Sequence, residues 1–289
     1  MRDQVHYFES RQYMHGGTFE LFHYRDTYMK EVALHHHDFY EVYFFTTGKL
    51  QYIIEGRTYD LKPGDILLIC PMELHQPMFY DRQAPYERTV LWIHRRYMER
   101  LCAQCEGLEA CFDLSAPGHT NLLRPERAER EMLQYQLEMI AYEQGSDAAF
   151  SDLYAQTFLT QLLIQLNRIA QRTAREPEPG GVSDPTVYSV LIYINGHYAE
   201  DLPLDELAKR FFVSKYHLSR EFKRLFGVSV HRYLIQKRLA VARQLMLEGA
   251  STAEAYQRCG FGDYSSFYRA FKAEYQISPK EFCRQGKTQ

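Results

Sequence analysis

Arginine, lysine, serine and tyrosine recur in one arrangement at two places in the last third of the chain. Leu218-Ser219-Arg220-Glu221-Phe222-Lys223 is echoed 49 residues later by Phe267-Tyr268-Arg269-Ala270-Phe271-Lys272, and Ser229 is echoed by Ser278 at the same offset. At helical spacing, Leu218, Phe222 and Leu225 share one face, whereas Tyr216, Ser219, Arg220 and Lys223 share the opposite one. In the second copy Phe267 and Phe271 face inward, and Ser265, Tyr268, Arg269 and Lys272 face out. Arg and Ser hydrogen-bond base edges and Lys neutralises phosphate, so each polar face has the chemistry to read duplex DNA in the major groove. A solvated surface would account for one such helix. Two matching faces at one offset argue for a duplicated supersecondary unit.

The signals around these faces say how they are positioned. Pro203 opens a short helix, Leu204 to Phe211. Phe212-Val213 makes a turn, and Ser214 caps the helix Lys215 to Phe226, which puts Lys215 at the start of the polar face. In the second copy Ser251 and Glu254 form a capping box, Gly260 supplies a turn with positive φ, and Asp263 caps the helix Tyr264 to Tyr275. Between the copies, Ser229 to Glu248 is one connecting helix with Tyr233, Leu239, Ala242, Leu245 and Met246 as its buried side.

Charge agrees with this division. From Val182 onward there are 16 Lys+Arg against 11 Asp+Glu, a net +5, and the remainder, with 18 basic and 26 acidic residues, carries −8. Phosphate contacts dominate affinity for DNA, so the basic end is where nucleic acid is expected. Glu176-Pro177-Glu178-Pro179-Gly180-Gly181 has two prolines, two glycines and no hydrophobic residue, and reads as a linker.

The first half has a different grammar. Val42 to Phe45, Leu50 to Ile54, Ile66 to Ile69 and Thr89 to Ile93 are rich in β-branched and aromatic residues, with turn signals at Gly48, Gly56 and Pro63-Gly64-Asp65. They predict a closed or sandwiched antiparallel barrel. From Glu126 to Gln144 and Asp147 to about Arg175 the period becomes helical, with Leu133, Leu137, Ile140 and then Leu159, Leu162, Leu163, Leu166 and Ile169. These helices either cover the sheet or pair with a second subunit.

Six cysteines are too few and too irregular for a disulfide framework, and Cys102-x2-Cys105 with Cys111 nearby reads as free thiols rather than a metal or redox set. No apolar run approaches the roughly 20 residues of a membrane span. Met1 to His6 is polar and lacks a signal-peptide core. The expectation is a cytoplasmic protein without membrane association.

Leu207-Ala208, Ser214, Leu218-x-Arg220-x-Phe222-Lys223, Gly227, Tyr233, Arg238-Leu239, Ala242 and Gly260-Phe261-x-Asp263 to Ser278-Pro279 resemble the AraC/XylS family over about 100 residues. The resemblance implies two helix-turn-helix units held by one rigid helix, with reading helices in successive major grooves about 34 Å apart. Its base-reading positions fall on Tyr216, Ser219 and Arg220, and on Tyr264, Ser265, Tyr268 and Arg269. Tyr256 stands where a small residue is expected and Gln276 where a glycine is expected.

His35-x-His37-x3-Glu41-x6-Gly48, then Gly64-Asp65 and Pro71-x3-His75, resembles the two motifs of the cupin barrel. In metal-binding cupins the positions of His37, Glu41, His75 and His35 are ligands, and three imidazoles with a carboxylate suit Zn²⁺, Ni²⁺, Mn²⁺ or Fe²⁺. Phe79 replaces the Asn that often follows the last His, and His36 leaves the pairing register open. Three readings stay open: a metal-free pocket for a small effector such as a sugar, a bound divalent metal, or packing histidines. Phe39, Tyr40, Tyr43, Tyr52 and Trp92 offer the ring surfaces that sugar faces favour.

The expected architecture is therefore α+β in two domains. Residues 1–175 form a cupin-like effector-binding and dimerisation domain, with a barrel at about 15–95 and helices at about 126–175. Residues 176–182 form a linker, and 183–289 an all-α domain with two helix-turn-helix units. The expected function is that of an effector-responsive transcription regulator, an activator of carbohydrate or small-metabolite genes. Its partners would be duplex DNA, a small-molecule effector, a second copy of the chain through the helix Asp147 to Arg175, and RNA polymerase; no cofactor is required. The competing reading is a metal-dependent cupin enzyme tethered to DNA. Two base-reading helices have no evident use in an enzyme, so none is expected.

Overall fold

Between Phe19 and Ile93 the apolar residues come in short runs that serve two environments at once, and the strands follow those runs. The computed structural model describes residues 14–28, 32–116, 118–175, 185–247 and 249–286. Its strands are β1 (Phe19–Asp26), β2 (Tyr40–Thr47), β3 (Leu50–Ile54), β4 (Arg57–Asp60), β5 (Ile66–Ile69), β6 (His75–Phe79), β7 (Tyr86–Ile93) and β8 (Leu122–Leu123). Its helices are α1 (Arg95–Gln104), α2 (Arg127–Gln144), α3 (Ser151–Arg175), α4 (Pro185–His197), α5 (Leu204–Arg210), α6 (Lys215–Phe226), α7 (Val230–Leu247), α8 (Thr252–Arg258), α9 (Tyr264–Tyr275) and α10 (Pro279–Gly286). The chain forms two compact units, residues 1–54 with 58–181 and residues 182–289 with 55–57. The segment read as a linker, 176–182, and the polar start Met1 to His6 lie outside the described residues. Among the described residues no helix is long and apolar enough to cross a membrane.

In the first unit β1-β7-β2-β5-β8 form one antiparallel sheet and β4-β3-β6 another. Successive strand residues point to opposite faces, so a strand covered on both sides buries both alternating sets of side chains. On β5, Ile66 and Leu68 join the core under the helices, whereas Leu67 and Ile69 join the core shared with the second sheet. Leu91 and Ile93 on β7, against Val90 and Trp92, divide in the same way. The result is a sandwich rather than a closed barrel, because the ladders stop at β1 and β8 in one sheet and at β4 and β6 in the other.

Helix α3 starts at Ser151 and not at Asp147, because Phe150 takes φ 68°, which no right-handed helix accommodates. Its stripe Leu159, Leu162, Leu163, Leu166 and Ile169 is fully buried against this unit's own core. That corrects the expectation that the stripe contacts a second copy: side chains already surrounded leave no apolar area to bury. The apolar residues these helices do expose are Met132, Tyr135 and Tyr142 on α2 and Leu153 and Tyr154 on α3.

In the second unit α5 and α6 form one helix-turn-helix, α8 and α9 the other, and α7 runs between them. Ser214 Oγ accepts from the His217 amide at 3.1 Å, and the Asp263 carboxylate accepts from the Ser266 amide at 2.8 Å. The buried face of α6 is Leu218, Phe222 and Phe226; Leu225, expected there, is half-buried. Gln276 adopts φ 60° at the end of α9, the left-handed cap that a glycine would have taken more cheaply. Tyr256 fits by packing half-buried between the Tyr264 and Phe267 rings.

The two turns close with the same hydrogen bonds. Phe212 N–H donates to Lys209 C=O and Val213 N–H to Ala208 C=O; Gly260 N–H donates to Gln257 C=O and Phe261 N–H to Tyr256 C=O. Both turns therefore place one residue in the left-handed region, Phe212 at φ 56° and Gly260 at φ 85°. Gly260 has a second reason to be glycine, since a Cβ there would lie 2.5 Å from the Ala199 carbonyl oxygen. We expect Gly260→Ala to lower the unfolding free energy by about 1–3 kcal/mol, from backbone strain plus that clash. A urea titration of the full chain followed by far-UV circular dichroism measures it.

Candidate functional site

Packing of Leu218, Phe222 and Phe226 turns the other side of α6 outward. Tyr216 is 74% exposed, and Ser219, Arg220, Lys223 and Arg224 join it along one shallow groove. Arg220 Nε donates to Glu221 Oε1 at 2.9 Å, and its guanidinium lies 5.6 Å from the Tyr216 ring centre. The other Glu221 oxygen accepts from Arg224 Nε at 2.6 Å. One carboxylate thus orients two guanidinium groups, which would lower the entropy lost in any further contact they make. Lys215 reaches Asp205 Oδ2 at 2.9 Å. Arg224 was not singled out in the sequence; its i, i+4 relation to Arg220 was the available signal.

On α9, Ser265, Arg269 and Lys272 are exposed, Tyr264 is 41% exposed and Tyr268 is half-buried beside it. Ala270 stands where α6 has Glu221, so Arg269 lacks that clamp; Ser266 Oγ lies 3.5 Å from its guanidinium, and the Asp263 carboxylate is near enough to attract it. The same five-position pattern thus has two different degrees of preorganisation.

Inside the sandwich, His37, Glu41 and His75 bring one ligand atom each to within 4.8 Å of one another, all buried. Strand pairing does this. Glu41 on β2 lies opposite Trp92 on β7, whose Nε1 donates to Glu41 Oε2 at 2.9 Å. His35 joins the backbone of His75 by two hydrogen bonds of 3.1 and 2.9 Å, and their rings are 4.3 Å apart. His35 nevertheless stands outside the three-residue group, and His36 is half-buried, which resolves the register in favour of 35 and 37 pointing in.

The Nδ1 atoms of His35, His37 and His75 lie 2.9, 2.9 and 2.8 Å from the backbone carbonyls of Ala33, Phe39 and Glu73. A carbonyl only accepts, so each Nδ1 donates its proton there and Nε2 is the nitrogen turned to the interior. Burial lowers His35 to about 4 and His75 well below the usual imidazole range. The Nε2 atoms of His37 and His75 are buried without a hydrogen-bond partner, and His37 Nε2 sits 3.3 Å from Glu41 Oε2. That approach is favourable with a proton on the nitrogen or with a cation held between the two atoms.

The rings around these groups are Phe39, Tyr43, Tyr52 and Trp92, all in the inner core. Tyr40 is not among them: it turns to the helix side and packs on Phe112, 4.9 Å away. Phe79, at the place of the motif Asn, packs on Tyr86. Sequence reading missed a second polar focus, Arg88, which pairs with Asp26 and lies 4.5 and 4.2 Å from the Tyr24 and Tyr86 ring centres. Alternation was the signal, since Tyr86, Val90 and Trp92 point inward and Arg88 must point with them.

A cavity of about 400 Å³ lies on the other face of the larger sheet, between Leu21, His23, Phe44 and Thr89 and the α2 residues Arg130, Leu133 and Leu137. The cysteines are all free thiols. Cys102 Sγ donates to the Glu109 carboxylate, and burial pushes the Cys111 thiol up to about 12, so thiolates are disfavoured there.

A strand sandwich with a polar interior, joined to two helix-turn-helix units, defines the class of transcription regulators that couple a ligand-binding domain to DNA. The profile of the AraC-like ligand binding domain matches residues 18–163, and that of a helix-turn-helix domain matches 207–285. The chain belongs to the AraC family, and it is a ligand-responsive, DNA-binding transcription regulator. It is 27% identical over 258 residues to the HTH-type transcriptional activator RhaS of Salmonella agona (strain SL483), covering 88% of this chain and 87% of that one. RhaS of Yersinia pestis (strain Pestoides F) is 28% identical over 255 residues, covering 87% and 89%. Among solved structures, the C-terminal domain of AraT, a response regulator from Geobacillus stearothermophilus, is 31% identical, covering 35% of this chain and 86% of that one with a TM-score of 0.34.

Proposed function

We propose that the protein is a homodimeric transcriptional activator acting in the cytoplasm, in which α6 and α9 read DNA and the interior around His37, Glu41 and His75 receives the effector. The observation that carries the DNA half is the repeated outward face, Tyr216, Ser219, Arg220 and Lys223 on α6 and Tyr264, Ser265, Tyr268, Arg269 and Lys272 on α9. Lys215 adds a phosphate contact at the start of α6. Activation, by contact with RNA polymerase, is proposed because the relatives bear the name of activators. A neutral sugar suits the interior, since Trp92, Tyr52 and Phe39 offer ring faces beside hydrogen-bonding groups.

The unpartnered Nε2 atoms of His37 and His75 favour a second reading of the same site, in which these two rings and Glu41 hold a divalent cation. The donor set fits: two imidazoles fixed through Nδ1 and one carboxylate. A cation there would neutralise Glu41 and order the β2 and β6 ends for an effector. In either case the chain acts as a regulator and not as an enzyme.

For the dimer, the exposed apolar residues of α2 and α3 are the supporting observation. Met132, Tyr135 and Tyr142 recur at spacings of three and seven on α2, and Tyr154 flanks Phe158 from one side as Tyr135 does from the other. Exposed apolar residues that recur on neighbouring helices are candidates for an interaction surface.

Three tests follow from these assignments. Arg220→Ala and Arg269→Ala should each weaken binding to a duplex selected from random sequence by about 1–3 kcal/mol, read by fluorescence anisotropy; unchanged affinity in both removes α6 and α9 as readers. Wild-type protein should gain thermal stability with a member of a monosaccharide panel, or with Zn²⁺ or Ni²⁺ alone, and His37→Ala with Glu41→Ala should abolish the gain. A double variant that still responds moves the effector elsewhere, the 400 Å³ cavity beside α2 being the next place to look. Light scattering at tens of micromolar should show a dimer that Tyr135→Glu with Tyr154→Glu converts to a monomer. A wild-type monomer with and without DNA would sink the dimer.

A further inference from the structure

Phe212 is 96% exposed, and it adopts φ 56°. Each fact alone is unremarked in many proteins; together they oppose what the chain's own physics prefers. A left-handed residue after a helix is most often glycine, because any Cβ crowds the following carbonyl. The second helix-turn-helix supplies the internal comparison. There the residue closing the turn with the same two hydrogen bonds is Gly260. In the first unit that position carries a phenylalanine whose ring packs on nothing sufficient to bury it. Neither local conformation nor burial within the chain accounts for the ring.

Its place says what does. Phe212 follows α5 and stands two residues before Ser214, the cap of α6. It therefore precedes the N-terminal end of the reading helix, three and four residues before Lys215 and Tyr216 and just after the basic end of α5, Lys209 and Arg210. In a helix-turn-helix this end of the second helix is the one that enters the groove. We infer that the Phe212 ring makes an apolar contact with duplex DNA, against a thymine methyl group or a deoxyribose face, at the edge of the site read by α6. The strained backbone is retained because it projects the ring outward, in line with strain being kept where it serves a contact. The second unit has no counterpart, so this contact would make the two half-sites unequal. The inference rests on α6 being a reading helix.

The test uses the full chain and the duplex selected from random sequence by wild type. Phe212→Gly should leave the melting temperature unchanged or raise it, because glycine accepts φ 56° without strain. The same variant should bind the duplex roughly tenfold more weakly, as expected for losing part of a phenylalanine's apolar contact. Phe212→Asn, which also tolerates the left-handed region but offers no ring, should match it. The slope of log affinity against log salt should stay as in wild type for both, whereas Lys215→Ala should make it shallower by about one, since only the lysine releases a counterion. If Phe212→Gly binds within twofold of wild type while Arg220→Ala weakens binding, the inference is wrong and the reading of α6 stands; lost activation with intact binding would then place the ring against a protein. If neither variant weakens binding, α6 itself has been misassigned.

Discussion

Phe222 and Phe271 have no exposed surface, and the DNA-binding half is arranged around keeping them so. Phe222 meets the Tyr233 ring of α7 edge to face at 5.7 Å and Phe226 at 4.5 Å. Phe271 meets Phe267, Tyr275 and the Phe282 ring of α10 at 4.5–5.7 Å. Truncating a buried phenylalanine typically costs about 3–5 kcal/mol, a large share of a small domain's stability. At 3.6 residues per turn, a helix so anchored has no freedom to rotate. Positions two before and one after the anchor are then turned away from the core, and these are Arg220 and Lys223 on α6, Arg269 and Lys272 on α9. The outward chemistry is a consequence of the inward packing.

The sandwich solves the opposite problem. Its inner core takes in His37, Glu41, His75 and Arg88 together with aromatic rings, and each charged or polar group loses hydration on entry. Arg88 is compensated within the fold by Asp26 and by two tyrosine faces. Glu41 receives Trp92 Nε1–H. The histidines are hydrogen-bonded on one nitrogen each, by backbone carbonyls, which leaves His75 Nε2 without a hydrogen-bond partner and His37 Nε2 facing Glu41 Oε2 at 3.3 Å. A fold made for stability alone gains by filling such positions with aliphatic side chains. Arg88 is thus compensated within the fold, and under the proposed reading a ligand would complete what the imidazoles lack.

How far these features were legible in the sequence depends on how local their causes are. The bounds of α6 and α9 could be read because Ser214 and Asp263 cap them through bonds spanning three residues. The start of α3 was not legible: Asp147 to Phe150 has no helix breaker, and the left-handed Phe150 is imposed by the surrounding structure. A Leu/Ile stripe says that a face is buried, not by what, so the covering of α3 by its own unit had to come from the fold. Tyr40, Tyr43 and Trp92 looked alike as pocket rings in the sequence, yet Tyr40 faces the helices, because even and odd positions of β2 serve different cores. The cupin-like spacing led to His37, Glu41 and His75, whereas Arg88 carries no motif and emerges from strand register.

Control of one half by the other requires that the effector distinguish two states of the protein, since equal affinity for both shifts nothing. An allosteric coupling of about 1–3 kcal/mol corresponds to roughly 5–150-fold in affinity. The reading faces are locked to their own helices by Phe222 and Phe271, so under the proposed reading an effector has little to gain by rotating them. What remains adjustable is how many reading faces reach DNA together. In a dimer, binding of a second C-terminal unit becomes intramolecular, and its effective concentration depends on geometry that the first unit can set. On that account the sandwich need not touch the DNA-reading chemistry at all. Ordering its open imidazoles around a ligand would change which arrangement of two rigid readers is populated, and the rigidity of those readers is what makes a small change in arrangement count.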